Sequence, residues 1–391
     1  MAALVRRLFA RDPFPPLVEP GIYHTPLGQQ QAAPYRLHLR AETDGSGVLI
    51  VNAATVLHLN SSAAAHAALL IQGLDEKQAA RQIARHYRVD RWRALADTRR
   101  VREQVLAVAQ APEIDPVLFF DLDRQDPYAA APSAPYRLDL ALTYRLDESG
   151  SQDPLAPRRV DRELETAEWQ AVLDAAWAAG IPHVTFTGGE PLLRPDLVQL
   201  VRHAEDLGQV TGVLTHGALL AEAGRLDSLA QAGLDHLLIT LDTLEPDRHP
   251  GLAPALASDV FTAVHLTIGD DGPAADRALD RLAALGLRAV SLSSAAPGPA
   301  LEQARAHAAH LGLELVWDLP APYSQWNPIA LELLEPPQGA GRAWLYVEPD
   351  GDVLPAQGVT RPLGNLLREG WQAVWARARA AAHTAESTPV S

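Results

Sequence analysis

Apolar and polar positions alternate in "PYRLHLRAE" (34–42), run together in "GVLIVNA" (47–53) and alternate again in "TVLHLN" (55–60). Three such runs divided by short polar breaks predict three strands in a meander. The period then lengthens. "SSAAAHAALLIQG" (61–73) is preceded by Asn60, a helix-capping residue, and closed by Gly73. "LDEKQAARQIARHYR" places Ala80, Ile83, Ala84 and Tyr87 at helical spacing, and "DRWRALADTRRVREQVLAVAQ" does the same with Trp92, Leu95, Val101 and Val105. Residues 35–110 therefore predict a small α+β domain, winged-helix-like, behind a lead (1–34) containing a short helix. A Pro- and Asp-rich linker (111–135) follows.

Beyond the linker, strands and helices alternate. Strands are expected at 136–144, 183–187, 210–215, 236–242, 263–268 and 289–294, with helical segments such as "ETAEWQAVLDAAWAAG" and "PDLVQLVRHAEDLG" between them. The fold class is α/β: a partial parallel (β/α)6 barrel over 136–319, whose strands all end at one rim. Residues 320–391 form a short C-terminal extension, with a hairpin in "AWLYVEPDGDVLPA" turning at Pro349-Asp350-Gly351 and a last helix carrying Trp371 and Trp375.

Composition changes the picture in two ways. The formal charge of −15 repels phosphate backbones and anionic bilayers. No stretch of 18 apolar residues is present and no secretory signal opens the chain, so a cytoplasmic protein without nucleic-acid or membrane partners is expected. The chain has no cysteine, which removes disulfides, thiolate nucleophiles and Cys-ligated metals. No P-loop, dinucleotide fingerprint or nucleophile elbow occurs. Asp121, Asp123 and Asp126 lack the glycine and glutamate of a calcium loop. His307 and His310 could share a metal but have no evident third ligand.

One phrase stands out against that background: "TFTGGEPLLRPDLVQLV" (185–201), an apolar strand running into two glycines and an acid before a helix. With "LTHGALL", "AGLDHLLITLDTLEPDRH", "VEPDGDVLP" and "PLGNLLREGWQAVW", it resembles the radical S-adenosylmethionine (radical SAM) superfamily. The subgroup it resembles modifies peptides and carries a SPASM/twitch-like C-terminal extension. The resemblance covers about 135–378. It implies that Gly188, Gly189, Glu190, Pro191, Thr215 and Asp242 line a vestigial S-adenosylmethionine site, with glycines open to a ligand and Glu190 accepting from its ammonium. The three cluster cysteines would fall on Leu146, Gly150 and Asp153, and tail cysteines near Gln338 and at Ala356; all are absent. The resulting expectation is no cofactor, no iron–sulfur cluster and at most weak S-adenosylmethionine binding.

"GVLIVNAATVLHLNSSAAAHAALLIQGLDEKQAARQIARHYRVD" resembles the PqqD-like peptide-recognition domain. This implies that a leader peptide adds as a strand beside Thr55, Val56, Leu57, His58 and Leu59. The resemblances together imply a non-catalytic protein of a ribosomal-peptide or peptide-derived cofactor pathway, partnered by a precursor peptide, by a cysteine-bearing radical SAM enzyme, or by both. Two alternatives stand beside it: an enzyme using Asp153, Glu190 and Asp242 as acid or base, and a structural subunit of an oligomer.

Overall fold

The computed structural model describes residues 15–24, 36–51, 55–110, 132–146, 160, 162–241, 243–294, 298–315, 339–359 and 361–386. The chain divides into two compact units, 1–133 and 134–391.

The first unit holds an antiparallel sheet of β1 (Gly21–His24), β2 (Leu37–Ala41), β3 (Gly47–Val51) and β4 (Thr55–Leu59), paired in that order. The three meander strands are present. β1 is an addition inside the lead: four residues give too little alternation to register as a strand, and its support is pairing with β2. Three helices follow, α1 (Ser61–Ile71), α2 (Glu76–Tyr87) and α3 (Arg91–Gln110). Asn60 caps α1 by accepting from the Ala63 amide at 2.9 Å, and Asp75 with Gln78 forms a capping box on α2. Leu37, Leu39, Leu49, Val51 and Leu57 share one face of the sheet and pack with Ala67, Ala68, Val105 and Val108 of α1 and α3. Among the described residues β4 pairs only with β3, so its outer edge lies free of strand partners.

The second unit is built on a parallel-strand sheet. Its strands are β5 (Arg137–Thr143), β6 (His183–Gly188), β7 (Val210–Thr215), β8 (His236–Leu241), β9 (Phe261–Thr267), β10 (Ala289–Ser293) and β11 (Glu314–Leu315), adjacent in chain order and parallel throughout. The connecting helices are α4 (Thr166–Ala178), α5 (Leu197–Leu207), α6 (Arg225–Ala232), α7 (Leu252–Ala257), α8 (Gly272–Ala284) and α9 (Pro299–His310). The expected tail hairpin is present as β12 (Trp344–Val347) and β13 (Asp352–Leu354), followed by β14 (Gly364–Asn365), α10 (Leu366–Glu369) and α11 (Trp371–Glu386). β12 also pairs in parallel with β5, Trp344 opposite Arg137, so the tail continues the main sheet. On α11, Trp371 and Trp375 stack with centroids 5.9 Å apart.

Period two sorts the sheet into two faces. Leu138, Leu140, Val184, Phe186, Val213, Leu237, Val264 and Val290 pack with the helices around fully buried Trp169. The opposite face carries polar groups in layers set by the register. Asp139, Thr185, Gly212 and His236 are aligned across β5–β8. Leu214, Leu238, Ala263 and Ala289 form an apolar layer above them. Thr240, His265 and Ser291 come next, toward the strands' C-terminal ends.

Candidate functional site

The Gly-Gly-Glu-Pro phrase lies at the C-terminal end of β6, where parallel strands gather functional groups. Its glycines have a definite spatial reason. The Gly189 amide donates to the Thr143 carbonyl and the Glu190 amide to the Arg145 carbonyl, each at 2.7 Å. These bonds carry the loop along the backbone that follows β5. A Cβ on Gly189 would come within 2.8 Å of the Arg145 carbonyl carbon and 2.9 Å of the Tyr144 carbonyl carbon, with the Arg145 oxygen closer still. Gly188, at φ 124°, would meet Thr143 in the same way. In the direction a side chain would take, both glycines face the chain's own backbone.

Glu190 is buried, and its carboxylate is occupied. It accepts from the Thr215 hydroxyl at 2.8 Å to both oxygens, from the His216 amide at 3.0 Å and from the Leu192 amide at 3.0 Å. Burial pushes its carboxyl above the ordinary value, against the opposing pull of His216 and these donors. Pro191 opens the short 3-10 turn that presents the Leu192 amide. The structure thus brings Gly188, Gly189, Glu190, Pro191 and Thr215 together. Asp242, Gly150, Asp153 and Gln338 lie outside the described residues, and so does the Asp121–Asp126 segment. Leu146 is an exposed apolar residue, and Ala356 is buried.

Period-two reading missed the groups that brace this rim. Arg194 is buried and makes a two-pronged contact with Asp196, 2.8 Å from Nε and 2.7 Å from Nη2. It also reaches the Leu142 carbonyl at 3.3 Å and Glu163 at 3.4 Å. Glu163 accepts from the Thr143 hydroxyl as well. At the far end of the strands, His183 and His236 approach with Nε2 atoms 3.3 Å apart, both depressed by burial, His236 to about 4. Nearby Arg137 pairs with Asp139 at 2.8 Å. A visible signal existed for His183, Arg137 and Asp139: His and Thr at alternate positions of "HVTFT" and Arg and Asp at alternate positions of "YRLDL". Of the two candidate metal histidines, His307 is bonded to Asp280 at 2.8 Å and His310 is exposed. A carboxylate trio, Glu348, Asp350 and Asp352, already has protein partners: Tyr144 on Glu348, and Asn365 and Arg368 on Asp352.

Residues 149–266 match the radical SAM superfamily. The chain is 42% identical over 137 residues to the PqqA peptide cyclase of Gluconobacter oxydans, covering 34% of this chain and 38% of that one. It is 37% identical over 121 residues to the PqqA peptide cyclase of Rhizobium meliloti, covering 31% and 30%. The chain thus spans about a third of the length of the curated relatives it matches. In fold it is similar to Streptococcus suis SuiB bound to its precursor peptide SuiA, with a TM-score of 0.56, 14% identity and 86% of each chain covered. SuiB bound to S-adenosylmethionine gives 0.54, with 14% identity over 87% of this chain and 86% of that one. Among the described residues no helix is long and apolar enough to cross a membrane.

These comparisons correct one expectation. The sequence pointed to no cofactor, no iron–sulfur cluster and at most weak S-adenosylmethionine binding. The matched superfamily and the S-adenosylmethionine-bound SuiB point instead to S-adenosylmethionine and an iron–sulfur cluster as the cofactors that go with this family. The residues of this chain do not fit a thiolate-held cluster, because all 391 positions lack cysteine. The Glu190 carboxylate, which the resemblance assigned to the S-adenosylmethionine ammonium, accepts from Thr215, His216 and Leu192.

Proposed function

We propose that this protein acts in the maturation of a ribosomally made precursor peptide, and that its own part is to bind that peptide rather than to carry out the radical step. In this reading residues 1–34 are a lead, 35–110 the PqqD-like recognition domain, 111–135 a linker, 136–319 the partial (β/α)6 barrel and 320–391 the SPASM/twitch-like extension. A thiolate-held iron–sulfur cluster would then need the cysteines of a cysteine-bearing radical SAM partner. The rim at Gly188, Gly189, Glu190, Pro191, Thr215 and Asp242 is a vestigial S-adenosylmethionine site.

The observation that carries the reading is the free edge of β4. An extended peptide laid beside Thr55, Val56, Leu57, His58 and Leu59 would complete the hydrogen bonds of that edge, and it could lean on α3. The similarity to PqqA peptide cyclases supplies the substrate class. For the acid–base alternative, the Glu190 carboxylate already accepts from the Leu192 amide, the Thr215 hydroxyl and the His216 amide.

Hydrogen exchange of the full chain with and without a PqqA peptide tests the proposal. Amides of 55–59 should slow on addition of the peptide while those of β5–β10 remain unchanged. Unchanged exchange at 55–59 with saturating peptide would overturn it.

A further inference from the structure

A second feature of the sheet lies away from the Gly-Gly-Glu-Pro loop, on β9 and β10. His265 is fully buried on the face opposite the helices. The parallel register sets it beside Ser291, with Ser293 two positions further toward the rim. Both ring nitrogens meet a hydroxyl: Nδ1 lies 3.2 Å from Ser291 Oγ and Nε2 lies 3.0 Å from Ser293 Oγ. Ser291 is buried, whereas Ser293 is partly exposed at the last position of β10. Beneath them the layer of Leu214, Leu238, Ala263 and Ala289 separates this group from the His183–His236 pair.

A buried imidazole needs partners, and two serines satisfy that need. The order of exposure adds something that satisfaction alone does not require. The outermost hydroxyl is on Nε2, the imidazole behind it is dry, and the innermost hydroxyl holds Nδ1. That is the sequence nucleophile, base, orienting group. With the proton on Nδ1 donated to Ser291 Oγ, Nε2 accepts from the Ser293 hydroxyl and can take its proton.

We propose that Ser293 is an acyl-accepting nucleophile served by His265, with Ser291 as the positioning residue, and that the site takes acyl esters or thioesters. In the acylation step the Ser293 Oγ–carbon bond forms at the carbonyl and the carbon–oxygen or carbon–sulfur bond to the leaving group breaks. The serine proton passes to His265 Nε2 and on to the departing alcohol or thiol. Water then cleaves the acyl-serine by the same proton route, so ester and water become acid and alcohol with no redox change. The substrate class follows from the orienting group. A neutral hydroxyl stabilises an imidazolium less than a carboxylate would, so the base is matched to good leaving groups rather than to amides.

The test uses the full chain with a fluorophosphonate probe, followed by peptide mapping and by hydrolysis of p-nitrophenyl acetate. Wild type should carry the label on Ser293. Ser293→Ala should lose it, and Ser294→Ala should label as wild type does. His265→Gln should label at least about a hundredfold more slowly, the usual scale of general-base assistance. Ser291→Ala should lower kcat with KM unchanged, and Ser291→Thr, which restores a hydroxyl, should recover it. Circular dichroism on each variant separates misfolding from chemistry. An unlabelled wild type, a label mapped elsewhere, or a folded His265→Gln that labels at the wild-type rate overturns the assignment.

Discussion

Gly189→Ala isolates the contact between the Gly-Gly-Glu-Pro loop and β5. Gly189 does not have positive φ, so alanine meets no left-handed penalty there. By itself the change would stabilise by about 0.4–1 kcal/mol, through a less flexible unfolded chain. Against this, the new methyl must displace the backbone at Tyr144–Arg145, which it would approach to 2.8–2.9 Å. Moving the loop breaks two buried 2.7 Å bonds, Gly189 to Thr143 and Glu190 to Arg145. At about 1–3 kcal/mol for each buried group left unsatisfied, the net loss is about 2–5 kcal/mol. With a urea slope of about 3 kcal/mol per M, the midpoint should fall by roughly 0.7–1.7 M. Tryptophan fluorescence reports this well, because Trp92 is the first unit's lone tryptophan and the others lie in the second. A neutral or stabilising Gly189→Ala would show that the loop does not pack on the backbone following β5.

Three further outcomes follow from neighbouring contacts. Glu190 has a folded-state pKa raised above 4.5 by burial, so the stability it contributes is full below about 4.5 and is lost as pH rises through the elevated value; Glu190→Gln should flatten that part of the stability–pH curve, and an unchanged slope would refute the burial argument. Arg194→Ala should cost about 3 kcal/mol by leaving Asp196 without its two-pronged partner, and Arg194→Lys should recover only part, measured by thermal unfolding. Gly212→Ala should destabilise by about 1–3 kcal/mol, because a Cβ there would come within 2.6 Å of His236 Cε1; His236→Ala should rescue it in a double-mutant cycle, and additive losses would speak against the contact.

Elements with strong local periodicity were legible in the sequence. All six expected parallel strands fall within a few residues of their observed bounds, as do most of the helices between them, because each carries its own alternation or helical stripe; α7 has six residues, too few for a stripe, and was not expected. The Gly-Gly-Glu-Pro phrase marked the strand-to-helix turn correctly. What it does there was not legible: its glycines answer to Thr143 and Arg145, and its glutamate to Thr215 and His216, contacts made across strands that no local window contains. β1 was missed for its brevity, and the place of β12 for its distance in sequence from β5. The cofactor expectation went wrong for a different reason. Cysteine content shows which ligands this chain can supply, whereas the matched family shows which groups accompany the fold.

The pairing of Trp344 with Arg137 has a consequence for synthesis on the ribosome. Strands β5 to β10 emerge in the order in which they pair, so each finds its neighbour soon after leaving the exit tunnel. β12 does not. At about 5–20 residues per second, the far edge of β5 waits roughly ten to forty seconds for its last partner. During that interval it presents unpaired backbone to every other nascent copy on the same message. A stop codon introduced just before β12 would make that exposure permanent, and such a truncated chain should collect in inclusion bodies even though every strand from β5 to β11 is present.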